Sequence, residues 1–241
     1  MESKKNIDLL ITTFGYRFYF LIIVLIPFRK FSKDYNGKLF VTLDFDLKIN
    51  WFKKLIIYII KFLFKVEFIF GENLGPHTKY YHYLKASKGL NSFVIVDDDS
   101  IYSYSKIKFL IKEGIKNDGC SYNRSLRAQF VEGIPNNYNK WLPIGKYESS
   151  KFVFGTNVGG VYVSERFRRV LLENINGFKG SCDKADDVWF YYLAIKYNLL
   201  PTNLGRFYNP RTIPFTQFNA LFYLNRESGN DIQLKNVFKN I

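Results

Sequence analysis

An α/β fold on a mostly parallel central sheet is the architecture this 241-residue sequence predicts, and three observations carry it. Short apolar runs alternate with longer amphipathic segments through residue 115, the pattern of strands joined by crossover helices. The run Val94-Ile95-Val96 is apolar throughout, as suits a strand covered on both faces, and it stops at Asp97-Asp98-Asp99. A hydrophobic share of 47% is enough for a packed core and argues against disorder.

Taken in order, residues 7–13 read as a first strand that turns polar at Thr12-Thr13. Gly15 and Arg17 follow, and the apolar run 18–28 predicts a buried helix; at 11 residues, with Pro27 inside, it is too short to span a bilayer. Residues 39–43 predict a second strand. The stretch 51–65 has apolar residues at near-helical spacing, decorated by Lys53, Lys54, Lys61 and Lys65, and predicts a basic amphipathic helix. A strand over 66–70 ends at Gly71 to Pro76, and a helix over 78–86, a strand over 93–96 and a helix over 105–113 complete the alternation. Residues 116–150 show no clean period. A strand over 161–163 and a helix over 186–197 come next, and the segment from Pro201 is expected to wrap the outside. No internal repeat is evident. One domain is expected, its first half (about 1–115) binding a nucleotide and its second (about 116–241) completing the cleft.

Lys and Arg (35) exceed Asp and Glu (21), which points to an anionic partner such as a phosphorylated substrate or a membrane surface. No RNA-binding aromatic signature, zinc-knuckle spacing or long basic block supports a nucleic acid partner. Cys120 and Cys182 lack CxxC spacing and read as free thiols of a reducing compartment. Asp8 interrupts the start and no small-residue cleavage site follows, so a secretory signal is not expected. The reading is a cytoplasmic protein, soluble or peripheral at the membrane's inner face.

Four constellations can carry chemistry. Asp97-Asp98-Asp99 concentrates negative charge at a strand end, where open α/β sheets bind ligands, and hard carboxylate oxygens suit Mg2+ or Mn2+ with coordination positions left for phosphate. The plain alternative is an acidic turn capping the next helix. Lys184-Ala185-Asp186-Asp187-Val188-Trp189 opens a helix with two carboxylates; one suffices for a cap, and the second suits a general base. Gly155 to Tyr162 clusters glycines, which let backbone approach a ligand but equally make an ordinary turn. Gly75-Pro76-His77-Thr78-Lys79 leads into a helix, a place for an anion with Lys79 adding charge. His77 and His82 form no zinc motif and read as surface or packing residues.

In order, Ile11 to Arg17, Gly75 to Lys79, Phe93 to Asp99 with Tyr102, Tyr138-Asn139-Lys140-Trp141, Gly155 to Tyr162 and Lys184 to Trp189 resemble a family of bacterial nucleotide-sugar-dependent glycosyltransferases of the GT-A fold, over roughly 7–198. Phe14-Gly15 stands where many relatives carry Tyr-Pro. The resemblance implies a single Rossmann-like GT-A domain of polysaccharide-building type and a nucleotide-diphosphate sugar as donor. Asp97 and Asp99 would match the metal-binding DxD, with Asp97 and Asp98 beside the donor. Thr12, Thr13 and Arg17 would line the nucleotide pocket, Lys79 would lie near ribose or diphosphate, and Gly159 and Gly160 would approach the donor. Asp187 or Asp186 would be the base of an inverting transfer to a glycan or lipid-linked acceptor. Two other readings compete: a haloacid-dehalogenase-type phosphatase, whose Asp-x-Asp normally follows a first strand, and a non-catalytic basic module binding membrane surface through helix 51–65. For that helix, an apolar stripe packed on the sheet is the preferred expectation over one lying on lipid.

Overall fold

Four of the apolar runs pair side by side and in parallel. They are β1 (Ile7–Thr13), β2 (Leu39–Asp44), β3 (Val66–Gly71) and β4 (Ser92–Asp97), with β1 between β2 and β4. The computed structural model describes residues 5–44, 50–87, 89–216 and 229–239. Across the eight-stranded sheet the order from one edge is Tyr147–Ser149, Thr202–Leu204, Cys120–Tyr122, Val161–Val163, β4, β1, β2, β3. Val161–Val163 is antiparallel to both of its neighbours, and Tyr147–Ser149 is antiparallel to Thr202–Leu204. The other pairings are parallel. The sheet is therefore mostly parallel, as the alternation predicts.

Both faces are covered, which is why the strands are apolar at successive positions. One face carries α1 (Leu21–Leu25), α2 (Phe31–Asp34), α3 (Trp51–Phe64) and α5 (Tyr104–Gly114), packed with Leu9, Ile11, Val94 and Val96. The other carries α4 (Thr78–Ala86), α6 (Glu165–Glu173) and α7 (Asp186–Lys196), packed with Leu10, Phe93 and Ile95. Leu10 and Ile95 continue, at the strand period of two, into Thr12 and Asp97. That second face therefore delivers the functional strand ends.

Several expectations change. The run 18–28 is not one helix: 310 turns over Gly15–Phe20 and Ile26–Phe28 flank α1, with Pro27, which has no N–H to donate, in the second turn. The segment after Pro201 does not simply wrap the outside, because Thr202–Leu204 enters the main sheet and the helix Asn230–Phe238 buries Leu234, Val237 and Phe238. Asn203 hides its polarity there by donating from Nδ2 to Lys146 O at 2.6 Å and Ile144 O at 3.2 Å. Cys120–Tyr122 and Tyr147–Ser149 likewise sit inside the stretch that shows no period. A three-residue strand is too short to display one.

Helix α3 begins where Asn50 accepts from Lys53 N at 3.0 Å and ends at Lys65, whose φ of 54° is left-handed. Its apolar stripe does not all pack on the sheet. Ile60 and Phe64 are buried, while seven of its large apolar side chains stay exposed. Among the described residues, no helix is long and apolar enough to cross a membrane. Both cysteines are free and buried.

Candidate active site

Parallel pairing sets Thr12 beside Asp97 at the carboxyl ends of β1 and β4, on the face covered by α4 and α7. Lys79, near the start of α4, reaches this point. Its Nζ lies 2.7 Å from Asp97 Oδ1 and 3.5 Å from Asp186 Oδ2. Asp186 opens α7 and also accepts from Asn157 Nδ2 at 2.7 Å. Strand end, helix α4, glycine-rich turn and acidic pair thus meet in one place, although they span 108 positions of sequence from Lys79 to Asp187. Thr12, Lys79, Asp97 and Asp186 meet at this edge of the sheet, with Asp187 following Asp186 in the first turn of α7. Asn157 was not singled out by sequence reasoning, although it stands inside the glycine cluster.

Two groups of this cluster, Lys79 and Asp187, are strongly perturbed. Burial pulls the Lys79 ammonium down, but the Asp186 and Asp97 carboxylates outweigh it and hold the group well above the ordinary lysine range. Asp187 is pushed up to about 7, first by burial and then by the neighbouring Asp186 charge, against the bond its Oδ1 accepts from Val188 N at 2.9 Å. A carboxyl that exchanges its proton near neutrality is suited to general acid–base work. The Tyr138 hydroxyl is pushed up by burial and then by Asp187, so the 138–141 segment borders the acidic pair.

A second cluster lies behind the first. Arg17 Nη1 sits 3.0 Å from Asp98 Oδ1 and 3.3 Å from Asp99 Oδ2, and Arg17 Nε donates to Thr216 O at 3.0 Å. Asp98 is 3% exposed and is pushed up to about 6, chiefly by burial, with Arg17 opposing. Thr13, Arg17 and Asp98 are placed differently from the strand-end groups. Asp98 and Thr13 are buried beneath the strand end, and the guanidinium of Arg17 is committed to ion pairs, so these residues shape the site from below. Asp97 and Asp99, by contrast, are both partly exposed.

Tyr102 and His77 brace the cluster. The Tyr102 hydroxyl donates to Val158 O at 2.9 Å and accepts from Asp97 N at 3.1 Å, fastening the glycine-rich turn to the end of β4. His77 is fully buried and stacks on Phe178 at 3.8 Å between centroids. Its Nε2 lies 2.6 Å from Cys182 O and its Nδ1 2.7 Å from the Tyr80 hydroxyl. A carbonyl can only accept, so Nε2 carries the proton and Nδ1 accepts from Tyr80. Burial pushes His77 down to about 4, keeping it neutral as it anchors the loop that precedes Asp186. It is a packing residue, as the sequence suggests.

The glycines act mainly through packing. A Cβ at Gly155 would overlap the Tyr122 ring, and Gly160, at a φ of +84°, would aim one at Ile107 Cδ1, 3.2 Å away. Gly159 has Tyr208 O at 3.0 Å and the Arg124 Cβ at 3.2 Å along the same direction. These close approaches let the turn bring Asn157 to Asp186.

Among the described residues no trio of His, Cys, Asp or Glu gathers into a metal cage. Asp97 and Asp99 are hard oxygen donors on either side of the inward-turned Asp98, and each faces a cation of the protein, Lys79 and Arg17 respectively. Mg2+ is commonly held by one or two carboxylates, with substrate phosphate and water completing the shell.

The sequence matches no protein-family model and no curated protein. Solved structures do share its architecture. 4-Diphosphocytidyl-2C-methyl-D-erythritol synthase from Anaerococcus prevotii superposes with a TM-score of 0.56 at 11% identity, covering 93% of this chain and 96% of that one. S. aureus TarS 1–349 gives 0.54 at 15% identity, covering 86% and 60%. HddC from Yersinia pseudotuberculosis gives 0.51 at 12% identity, covering 90% and 99%. The fold is GT-A-like. At these identities the likeness speaks for the fold alone.

Proposed function

We propose that this chain is a metal-assisted glycosyltransferase that moves a sugar from a nucleotide-diphosphate donor to a hydroxyl of a glycan or lipid-linked acceptor, with inversion. The observation that carries the reading is Lys79, whose ammonium links Asp97 at the strand end to Asp186 of the acidic pair. It joins the carboxyl end of β4 to the first carboxylate of the acidic pair, next in sequence to Asp187, the carboxyl pushed up to about 7. The similar fold of a 4-diphosphocytidyl-2C-methyl-D-erythritol synthase supports a nucleotide-handling role.

In this reading Asp97 and Asp99 would hold Mn2+ or Mg2+, which when bound offsets charge on the departing diphosphate. Lys79 supplies a fixed positive charge at the same edge, and Thr12 borders the nucleotide. Asp187 accepts the proton of the acceptor hydroxyl while the acceptor oxygen bonds to the anomeric carbon. The bond from that carbon to the diphosphate oxygen breaks, and the nucleoside diphosphate leaves with the electron pair. Asp186, held by Lys79 and Asn157, stands beside Asp187 and raises its proton affinity.

A thermal-shift panel of nucleoside diphosphates, triphosphates and nucleotide sugars, with and without Mn2+, tests the class. Stabilisation by a nucleotide sugar and its diphosphate that requires the metal is the expected result. Stabilisation by a triphosphate together with pyrophosphate release would instead assign nucleotidyl transfer. A trapped aspartyl-phosphate would assign the phosphatase reading, although β1 here ends in Thr12-Thr13 and the acidic triplet follows β4.

A further inference from the structure

Helix α3 presents most of its apolar surface to solvent. At 100° per residue, Trp51, Phe52, Leu55, Tyr58, Phe62 and Leu63 fall within one arc of about 140°. All six are exposed, Trp51 at 76% and Phe62 at 77%. The buried Ile60 and Phe64 point the opposite way, into the face of the sheet shared with Val66. Lys54 and Lys61 are exposed and project together along one long border of the apolar arc, Lys65 is exposed where the helix ends, and the helix contains no acidic residue. Its two aromatic ends are separated by about 16 Å of helix axis, so the arc forms a ridge rather than a groove.

Contiguous exposed apolar surface on a helix marks an interaction site. Two features select the occupant. Lysine is depleted at the centres of protein–protein interfaces, whereas Trp and Phe beside a row of lysines typify helices that lie in a lipid headgroup layer. The row of cations is complementary to anionic headgroups, and the whole chain carries a formal charge of +14. We propose that α3 docks the protein on an anionic phospholipid bilayer, its Trp51–Phe62 ridge entering the headgroup boundary and Lys54, Lys61 and Lys65 meeting lipid phosphate. This claim stands apart from the proposed chemistry, since α3 lies on the sheet face opposite α4 and α7.

Flotation of the full chain with vesicles tests it. Recovery is expected with phosphatidylglycerol mixed into phosphatidylcholine, little with phosphatidylcholine alone, and a steep fall as salt is raised. Each lysine is expected to contribute about fivefold to partitioning, so the K54E/K61E double variant should lose at least about 25-fold. W51S/F62S alters exposed side chains, so it should keep its melting temperature and lose flotation. Absence of flotation on anionic vesicles would overturn the proposal, as would wild-type flotation by both variants. A concentration-dependent dimer abolished by W51S/F62S, without vesicle binding, would assign the ridge to a second copy instead.

Discussion

Replacing Lys79 with Met leaves Asp97 and Asp186 without the ammonium that bridges them. At 2.7 Å and 3.5 Å, and an effective dielectric near 20, the two attractions amount to about 6 and about 5 kcal/mol before desolvation is counted. The Lys79 and Asp97 side chains retain 20% and 18% exposure, so part of that attraction is screened. Removing one partner from such a cluster costs about 3–5 kcal/mol net, because the remaining charges stay desolvated. For a domain of this size each kcal/mol moves Tm by about 2–4 °C, so K79M should melt roughly 6–20 °C below wild type. The effect must also depend on pH in a set direction. The raised folded pKa of Lys79 means its contribution is fully present at pH 5 and at pH 8 in the wild type. In K79M the two carboxylates lose their cation and bind protons more readily, so the deficit should shrink at pH 5 and be largest at pH 8. Adding D97N to K79M should restore part of the loss at pH 8. Thermal melts followed by circular dichroism at both pH values decide the matter. A K79M midpoint within about 2 °C of wild type, or a deficit equal at both pH values, would refute the reasoning.

Three further outcomes follow from the same geometry. Asp187, pushed up to about 7 from 3.8, keeps in the folded state a proton that the unfolded chain loses, so its contribution to stability falls as pH rises between about 4 and 7. D187N should therefore melt above wild type at pH 8 while losing transfer activity, and the wild-type rate should climb with pH through about 7. Arg17→Met should melt lower at pH 8 than at pH 5, measured by thermal melts, because Asp98 ionises near 6 and then has no guanidinium beside it. Asn157→Ala removes a hydrogen bond to a charged carboxylate, a loss of about 1.5–3 kcal/mol by denaturant titration, with turnover falling as Asp186 loosens.

Much of the fold is legible in the sequence because its strong signals are long. β1, β4 and the helix Thr78–Ala86 have enough residues to display their periods, and the acidic triplet marks where β4 stops. The second half is harder to read for a physical reason. Cys120–Tyr122, Tyr147–Ser149 and Thr202–Leu204 have three residues each, and Asn203 is buried through bonds to distant carbonyls that no local pattern announces. The site shows the same division. Asp97, Lys79 and the Asp186-Asp187 pair stand out as charged residues at element ends. The inward turn of Asp98 under Arg17 depends on a contact across 81 positions of sequence. Nor does the helical wheel of α3 say which of its apolar residues the sheet covers. The covered strip is narrow, and the broader one faces solvent.

The central claim is that Asp97 and Asp99 hold a divalent ion together with a nucleoside diphosphate. Calorimetric titration of UDP and GDP into wild type, D99N and the surface control D118N, each with and without Mn2+, tests it most directly. One of these nucleotides is expected to bind wild type and D118N only with Mn2+ present and to fail to bind D99N. Metal-independent binding of equal strength in all three proteins would contradict it.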